Sequence, residues 1–251
     1  MYAVVLSRRD YREYDQVITL YTRDRGRMDL VARGVKKIIS KNTSHLEPFS
    51  LIHVESTPGK EYEYITKVHS IDYFTHIREC LEKSLAAQYV VNILSRVLQQ
   101  EESDERIFDL LQNFLFHLEN TKQREHIQFS LDMFFLKFFS LLGFAPVIDS
   151  CVVSGSLFSD FKKDKEFGFY FSGGGIVKDS VMEEKKKIGE HILPMNHSQL
   201  FLLELFLEKE FAAFDFDFFD RKAALTLHKV VYEYVLYHNE FECRDWAKLN
   251  F

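Results

Sequence analysis

The hydrophobic period changes once along this chain, near residue 76, and that change limits the fold more than any single residue does. Before it, apolar and β-branched residues gather into five short runs, at 2–6, 17–21, 28–32, 50–55 and 61–68. Turn signals separate them: the Asp24 to Gly26 stretch, Gly34, and Thr57-Pro58-Gly59. Five short strands spaced this way predict a small closed or nearly closed β-barrel. Pro58-Gly59 is the turn of a hairpin joining the last two strands. After residue 76 the apolar residues fall at 3- and 4-residue steps, the signature of amphipathic helices.

The clearest helix carries Ile107, Leu110, Leu111, Phe114, Leu115 and Leu118 on one face, with Ser103 before it as the expected N-cap. A second, richer in aromatics, runs from Ile127 through Phe134, Phe135 and Phe138 to Leu142, where Gly143 and Pro146 stop it. A weaker helix is expected over 81–98. Glycines at 155, 168 and 173–175 break the pattern, so 146–182 reads as an insert with short β pieces. Asn196 and Gln199 form a capping pair for the next helix, in which 200–206 is apolar all round and expected to be buried. A last helix is expected over 220–238, with Ala224, Leu227, Val231, Tyr234 and Val235 on its buried face. The expected class is α+β: a five-stranded barrel of the oligonucleotide-binding (OB) type over 1–75, then a helical domain over 76–251 interrupted by the insert.

Charge is distributed unevenly. Residues 1–45 hold ten Lys/Arg against five acids, a formal +5, in a chain whose total is −6, so the remainder carries −11. The basic island is densest from Thr22 to Lys41. Arg23, Arg25 and Arg27 flank the turn between the second and third strands, and Arg33, Lys36, Lys37 and Lys41 continue into the following loop. A positive groove with aromatic platforms is what holds single-stranded nucleic acid, so these seven residues are the candidate DNA contacts. Tyr62 and Tyr64, two apart on a strand and thus on one side of it, are the candidates for base stacking. A sheet-face packing pair is the competing reading of the two tyrosines.

Catalytic patterns are missing. The chain has no Gly-rich loop followed by Lys-Ser/Thr, no Gly-x-Ser-x-Gly elbow and no His-Glu-x-x-His. Asp215, Asp217 and Asp220 alternate with phenylalanines and read as a solvated face rather than as a two-metal nuclease site, which needs acids converging from separate elements. His191 and His197, on either side of Pro194, have no cysteine nearby in sequence and read as surface or core-edge residues. Three widely spaced cysteines, Cys80, Cys151 and Cys243, are no disulfide framework. With no signal-peptide pattern and no apolar run of 18 residues, a cytoplasmic protein is expected, with neither catalytic residues nor a cofactor.

The order of the motifs resembles the RecO family of bacterial recombination mediators. Arg9, Tyr11, Glu13 and Asp15 match its R-x-Y/F-x-E-x-D run. Thr22-Arg23-Asp24-Arg25-Gly26-Arg27, Ala32-Arg33-Gly34 and Leu46-Glu47-Pro48-Phe49 follow in the family's order. Later come Leu142-Gly143-Phe144-Ala145-Pro146 and Cys151-x-x-x-Gly155. The resemblance implies a non-enzymatic protein that binds single- and double-stranded DNA and anneals complementary strands. It also implies action with RecR to load RecA onto DNA coated by single-stranded-DNA-binding protein (SSB), whose acidic tail is recognised. For that tail, a greasy pocket rimmed by Lys137, Lys222 or Lys229 is expected. Many family members hold a four-cysteine zinc in the insert. Here Cys151 is followed by Ser154, and Lys178 and Val181 stand in the second pair, so no zinc is expected and packing by Phe167, Phe169 and Phe171 takes its place. The alternative is a helical protein-interaction module whose barrel binds no DNA, which the −11 remainder keeps in play.

Overall fold

The computed structural model describes residues 1–36, 43–161, 167–214, 221–238 and 244–248. Lys37, Lys41 and the acids at 215, 217 and 220 lie outside the described residues. The chain forms two compact units, Met1–Ile127 and Gln128–Phe251.

The first unit opens with strands β1 (Tyr2–Asp10), β2 (Gln16–Thr22), β3 (Gly26–Ala32), β4 (Leu51–Thr57) and β5 (Glu63–Asp72). They close into a barrel in the order β1-β2-β3-β5-β4, the OB arrangement expected. Closure is made by β1 pairing antiparallel to β4 and by a short parallel contact in which Leu30 faces Glu63 and Val31 faces Tyr64. Register shifts between Val5 and Ser7 in β1, and twice along β4 and β5, supply the bends that closure needs. Ala3, Val5, Ile18, Leu20, Met28, Leu30, Ile52, Val54 and Val68 fill the interior. Val4, Leu6 and Tyr21 have the opposite parity, yet they are equally buried. Helix α1 (Thr75–Glu79) leads into α2 (Leu81–Val97), which packs on β1 and covers that outer face. Residues buried on both faces make a near-continuous apolar run instead of clean alternation.

Helix α3 (Glu105–Asn120) packs on α1 and α2. Its N-cap is Asp104, not the Ser103 expected: the Asp104 carboxylate accepts the Arg106 N–H, while Ser103 is exposed one residue too early. The barrel strands end at Asp72, while α1–α3, expected in the helical domain after residue 75, belong to the same compact unit as the barrel.

The second unit is built on α4 (Arg124–Leu141), whose Phe134, Phe135, Phe138 and Phe139 are all buried. Gly143, at φ +94°, ends the helix as expected, with the Phe144 N–H donating to the Phe139 carbonyl at 2.9 Å. The insert holds a short helix α5 (Phe158–Phe161) and strands β6 (Phe167–Tyr170) and β7 (Gly175–Lys178). Helix α6 (Asp179–Lys187) and strand β8 (Ile192–Met195) follow, neither expected, and β8 completes a sheet of order β7-β6-β8. Helix α7 (His197–Glu208) starts with the expected capping box of Asn196 and Gln199. It is not buried all round: Leu200, Leu202, Leu203 and Phe206 are buried, but Phe201 is 56% exposed. Helix α8 (Arg221–His238) buries the expected face.

Phe167, Phe169 and Phe171 are buried in the insert. Phe169 packs on Phe171 at 5.2 Å and on Tyr234 at 5.5 Å, and Phe167 on Phe158 at 5.4 Å. The residues at the family's zinc positions do not fit that metal. Val181 is a buried apolar side chain, and Cys151 is the single sulfur. Burial pushes the Cys151 thiol up, but hydrogen bonds from the Ser154 side chain and from the backbone of Ser154, Lys178 and Val153 outweigh it and hold the thiol below its usual range.

Candidate nucleic-acid interface

Two of the sequence motifs build the turns that shape the barrel's basic edge. In Thr22-Arg23-Asp24-Arg25-Gly26-Arg27, the Thr22 hydroxyl donates to the Gly26 carbonyl and accepts the Arg25 N–H, both at 3.0 Å. Gly26 sits at φ +67°, a conformation glycine adopts without a Cβ penalty. In Ala32-Arg33-Gly34, Gly34 sits at φ +64° and its N–H donates to Asp15 Oδ1 at 2.8 Å. The acid closing R-x-Y-x-E-x-D therefore holds the glycine that turns the chain after β3. The Leu46 to Phe49 motif is architectural too: Leu46 is buried in the barrel core, and Phe49 hydrogen-bonds β1 through Val5 O at 2.7 Å.

Most cations named from the sequence are engaged. Arg23 meets Glu105 at 3.4 Å and Asp109 at 3.3 Å, both on α3. Arg25 reaches Glu63 with both terminal nitrogens, at 3.0–3.1 Å. Arg27 Nη1 donates to the Leu98 carbonyl at 3.0 Å, and its own carbonyl accepts the Glu101 N–H at 3.0 Å. Lys36 pairs with Asp10 at 2.8 Å. Part of the basic island is therefore a seam that fastens the β2–β3 turn to the segment before α3. Tyr21 strengthens it: its hydroxyl donates to Asp104 O and accepts the Asp104 N–H, both at 3.2 Å, and burial pushes its pKa up to about 12.

Arg33 is placed differently. It is exposed, with its guanidinium 3.8 Å above the centre of the Tyr64 ring. Tyr62, just before β5, packs edge-on against Tyr11 at 5.4 Å, and the Arg12 guanidinium lies 5.0 Å from the Tyr11 ring. Arginines and tyrosines thus interleave where the β1–β2 turn, the end of β3 and the β4–β5 hairpin meet. Beside them runs an open groove of about 450 Å³ with Arg9, Arg25, Arg27, Lys60 and Tyr62 among its lining. Sequence reading picks out Tyr62, Tyr64 and Arg33 but assigns no contact role to Arg9, Tyr11, Arg12 or Lys60. The R-x-Y spacing of Arg9 and Tyr11 is the signal that points to two of them.

In the second unit, Lys222 and Lys229 line one groove of about 690 Å³ with Leu193, Met195, Leu225 and Val230. Lys137 does not join them: its ammonium donates to the Leu207 carbonyl at 2.8 Å, and burial holds its pKa below the usual lysine value. Among the described residues no group of three His, Cys, Asp or Glu is placed to hold a metal ion, and no helix is long and apolar enough to cross a membrane.

The family model described as "Recombination protein O N terminal" matches residues 1–74, and "Recombination protein O C terminal" matches residues 78–245. The chain belongs to the RecO family. It is 29% identical to the DNA repair protein RecO of Caldanaerobacter subterraneus subsp. tengcongensis over 252 residues, covering 98% of this chain and 95% of that protein. It is 26% identical to DNA repair protein RecO of Pelotomaculum thermopropionicum, covering 99% and 92%. With its namesake from Rubrobacter xylanophilus it shares 33% over 152 residues, covering 61% of this chain and 60% of that one. In this RecO-family chain the N-terminal match stops two residues past β5, and the C-terminal match begins inside α1.

Proposed function

We propose that this chain is a cytoplasmic, non-enzymatic recombination mediator in DNA repair. It binds single- and double-stranded DNA, anneals complementary strands and, with RecR, loads RecA onto SSB-coated DNA. The observation that carries the DNA reading is the interleaved edge of Arg12, Tyr11, Tyr62, Tyr64 and Arg33. Tyrosine rings offer faces on which bases of any sequence stack, and guanidinium groups neutralise phosphates beside them. Annealing breaks no covalent bond; it needs two polyanions held close enough for bases to sample pairing.

Binding of a labelled single strand is expected to fall with salt at a log–log slope of about −3 to −4, as four to six phosphate contacts require. Arg12→Ala with Arg33→Ala should flatten that slope by about 1.4. Tyr62→Ala with Tyr64→Ala should weaken binding by about 1–3 kcal/mol per stacked base while leaving the slope nearly unchanged. Strand annealing by the same variants, with and without SSB, tests activity and partner dependence together. No measurable binding at low salt would favour the helical interaction module instead.

The groove of Lys222 and Lys229 suits an acidic peptide ending in apolar residues, the chemistry of the SSB tail. Its apolar wall takes the terminal side chains and the lysines take the carboxylates. A synthetic peptide of that composition should lose about tenfold in affinity, roughly 1.4 kcal/mol, with Lys222→Ala and Lys229→Ala combined. Unchanged anisotropy titrations would remove this groove as the tail site.

A further inference from the structure

The barrel groove is less basic than its arginines suggest. Its four cations are matched by four lining carboxylates, Asp29, Glu61, Glu63 and Glu101. Asp29 meets Arg9 through one nitrogen at 3.3 Å and accepts the Thr19 hydroxyl at 2.8 Å, whereas Glu63 holds Arg25 through both of its terminal nitrogens. Glu63 opens β5, where the parallel pairing with Leu30 fixes its backbone. Its carboxylate accepts from both terminal nitrogens of Arg25 and from the Ser56 hydroxyl at 3.1 Å. Two guanidinium donors on two oxygens is the same fork by which arginine grips a phosphate.

We propose that Glu63 is an affinity-setting residue of this barrel: it occupies the phosphate position on Arg25, so a DNA backbone gains Arg25 only by displacing it. The proposal rests on the DNA-binding reading above and adds a specific restraint to it. With Glu63 in place, Arg25 is already neutralised. Held this way it neutralises no phosphate, releases no counterion from the DNA and contributes little to the salt dependence of binding. A strand that makes enough other contacts, on the tyrosine edge and on Arg33, displaces the carboxylate. A weaker or shorter polyanion does not. The masking therefore discriminates against brief, purely electrostatic encounters.

The test is Glu63→Gln in the full-length chain, titrated against a fluorescent single-stranded oligonucleotide across a salt series. Glutamine is nearly isosteric and keeps an oxygen for Ser56, and circular dichroism checks that the fold is retained. Affinity is expected to rise roughly three- to tenfold, the size of one charged contact at a part-exposed site. The salt slope should steepen by about 0.7, one further phosphate on a single strand. Adding Arg25→Ala to Glu63→Gln should erase both gains. Glu61→Gln removes the same charge from the same groove without releasing Arg25 and should give the smaller effect. Equal tightening by Glu61→Gln would show that net charge alone matters and would overturn the proposal. So would a Glu63→Gln protein with unchanged affinity and slope. If neither the parent nor any variant binds at low salt, the DNA reading itself fails and this one with it; binding by the parent without a gain in Glu63→Gln sinks only the restraint.

Discussion

Replacing His228 with alanine is expected to destabilise the second unit by about 3–5 kcal/mol, the cost of stranding one member of a buried ion cluster. His228 lies on α8 between two carboxylates: Nδ1 is 2.7 Å from Asp132 Oδ1, and Nε2 is 2.9 Å from Asp245 Oδ1. Asp132 sits in the middle of α4 with no exposed surface. Its Oδ1 also accepts the Trp246 indole N–H at 2.7 Å, while its Oδ2 has no hydrogen-bond partner. Burial alone pulls the His228 imidazole down and pushes the Asp132 carboxyl up. Asp132 and Asp245 outweigh burial at the histidine and hold its pKa above 6.5. Without the imidazole, Asp132 keeps one donor for a buried charge. Trp246 is the only tryptophan in the chain and packs 4.8 Å from Phe135, so its fluorescence in a urea titration reports the loss directly. Replacing Asp132 and His228 together with alanine should cost much less than the sum of the single changes. A histidine whose folded pKa is raised stabilises fully below pH 6.5, and that contribution fades as pH rises through the folded value. The gap between parent and His228→Ala should accordingly be widest in mild acid and narrow in alkali. His117 acts with the opposite sign. Burial, with His126 and Lys83 adding to it, lowers its pKa to about 4, so its contribution holds above pH 6.5 and is lost as pH falls toward 4. Subtracting the variant's pH curve from the parent's removes that term. A variant with the parent's urea midpoint would show that the cluster adds nothing.

What the sequence makes legible follows the physics of each element. Barrel strands announce themselves as short apolar runs between turn signals, because strands such as β2 are buried along nearly their whole length. The amphipathic α3 and α8 do so because their buried residues recur at helical steps. Strand β8 is hidden: four residues long, it contains Pro194, which a strand tolerates at a sheet edge, and β8 is an edge. Helix α6 is hidden because only Val181 and Met182 of its nine residues are buried, too few to set a period. At Asp104 two neighbouring residues can both cap a helix, and only the carboxylate's contact with the Arg106 N–H decides between them. The site divides in the same way. Local spacing reveals that cations and tyrosines are there. It does not reveal that Arg23 meets Glu105 and Asp109, more than eighty residues away, or that Arg25 meets Glu63 at the start of the neighbouring strand β5. A run of like charges reads as a footprint until its partners are known, and those partners are set by topology.

Gly26→Ala is expected to be nearly as damaging, by about 2–5 kcal/mol, and it tests the same point from the backbone side. Holding a non-glycine residue at φ +67° costs about 1–2 kcal/mol. A Cβ there would also lie 2.0 Å from the Glu102 carbonyl oxygen and 2.8 Å from the Ser103 nitrogen, backbone atoms that cannot swing aside as a flexible side chain would. Overpacking of this kind adds about 1–3 kcal/mol. To relieve it, the 98–104 segment must move off the β2–β3 turn, which breaks the Glu101 N–H to Arg27 O bond and the Arg27 to Leu98 O bond. Gly155→Ala is the matched control: Gly155 has φ +68° with nothing within 4 Å of the Cβ position, so it should carry the conformational cost alone. Amide hydrogen exchange is the measurement. In Gly26→Ala, exchange should accelerate in β2, β3 and the first turn of α3, where Tyr21 also holds Asp104, and Gly155→Ala should leave those amides protected. Equal protection in both variants would mean that the turn and the segment before α3 are not fastened to each other. The arginines of the Thr22 to Arg27 motif would then be free for phosphate, and the larger share of the DNA contact would return to the basic turn.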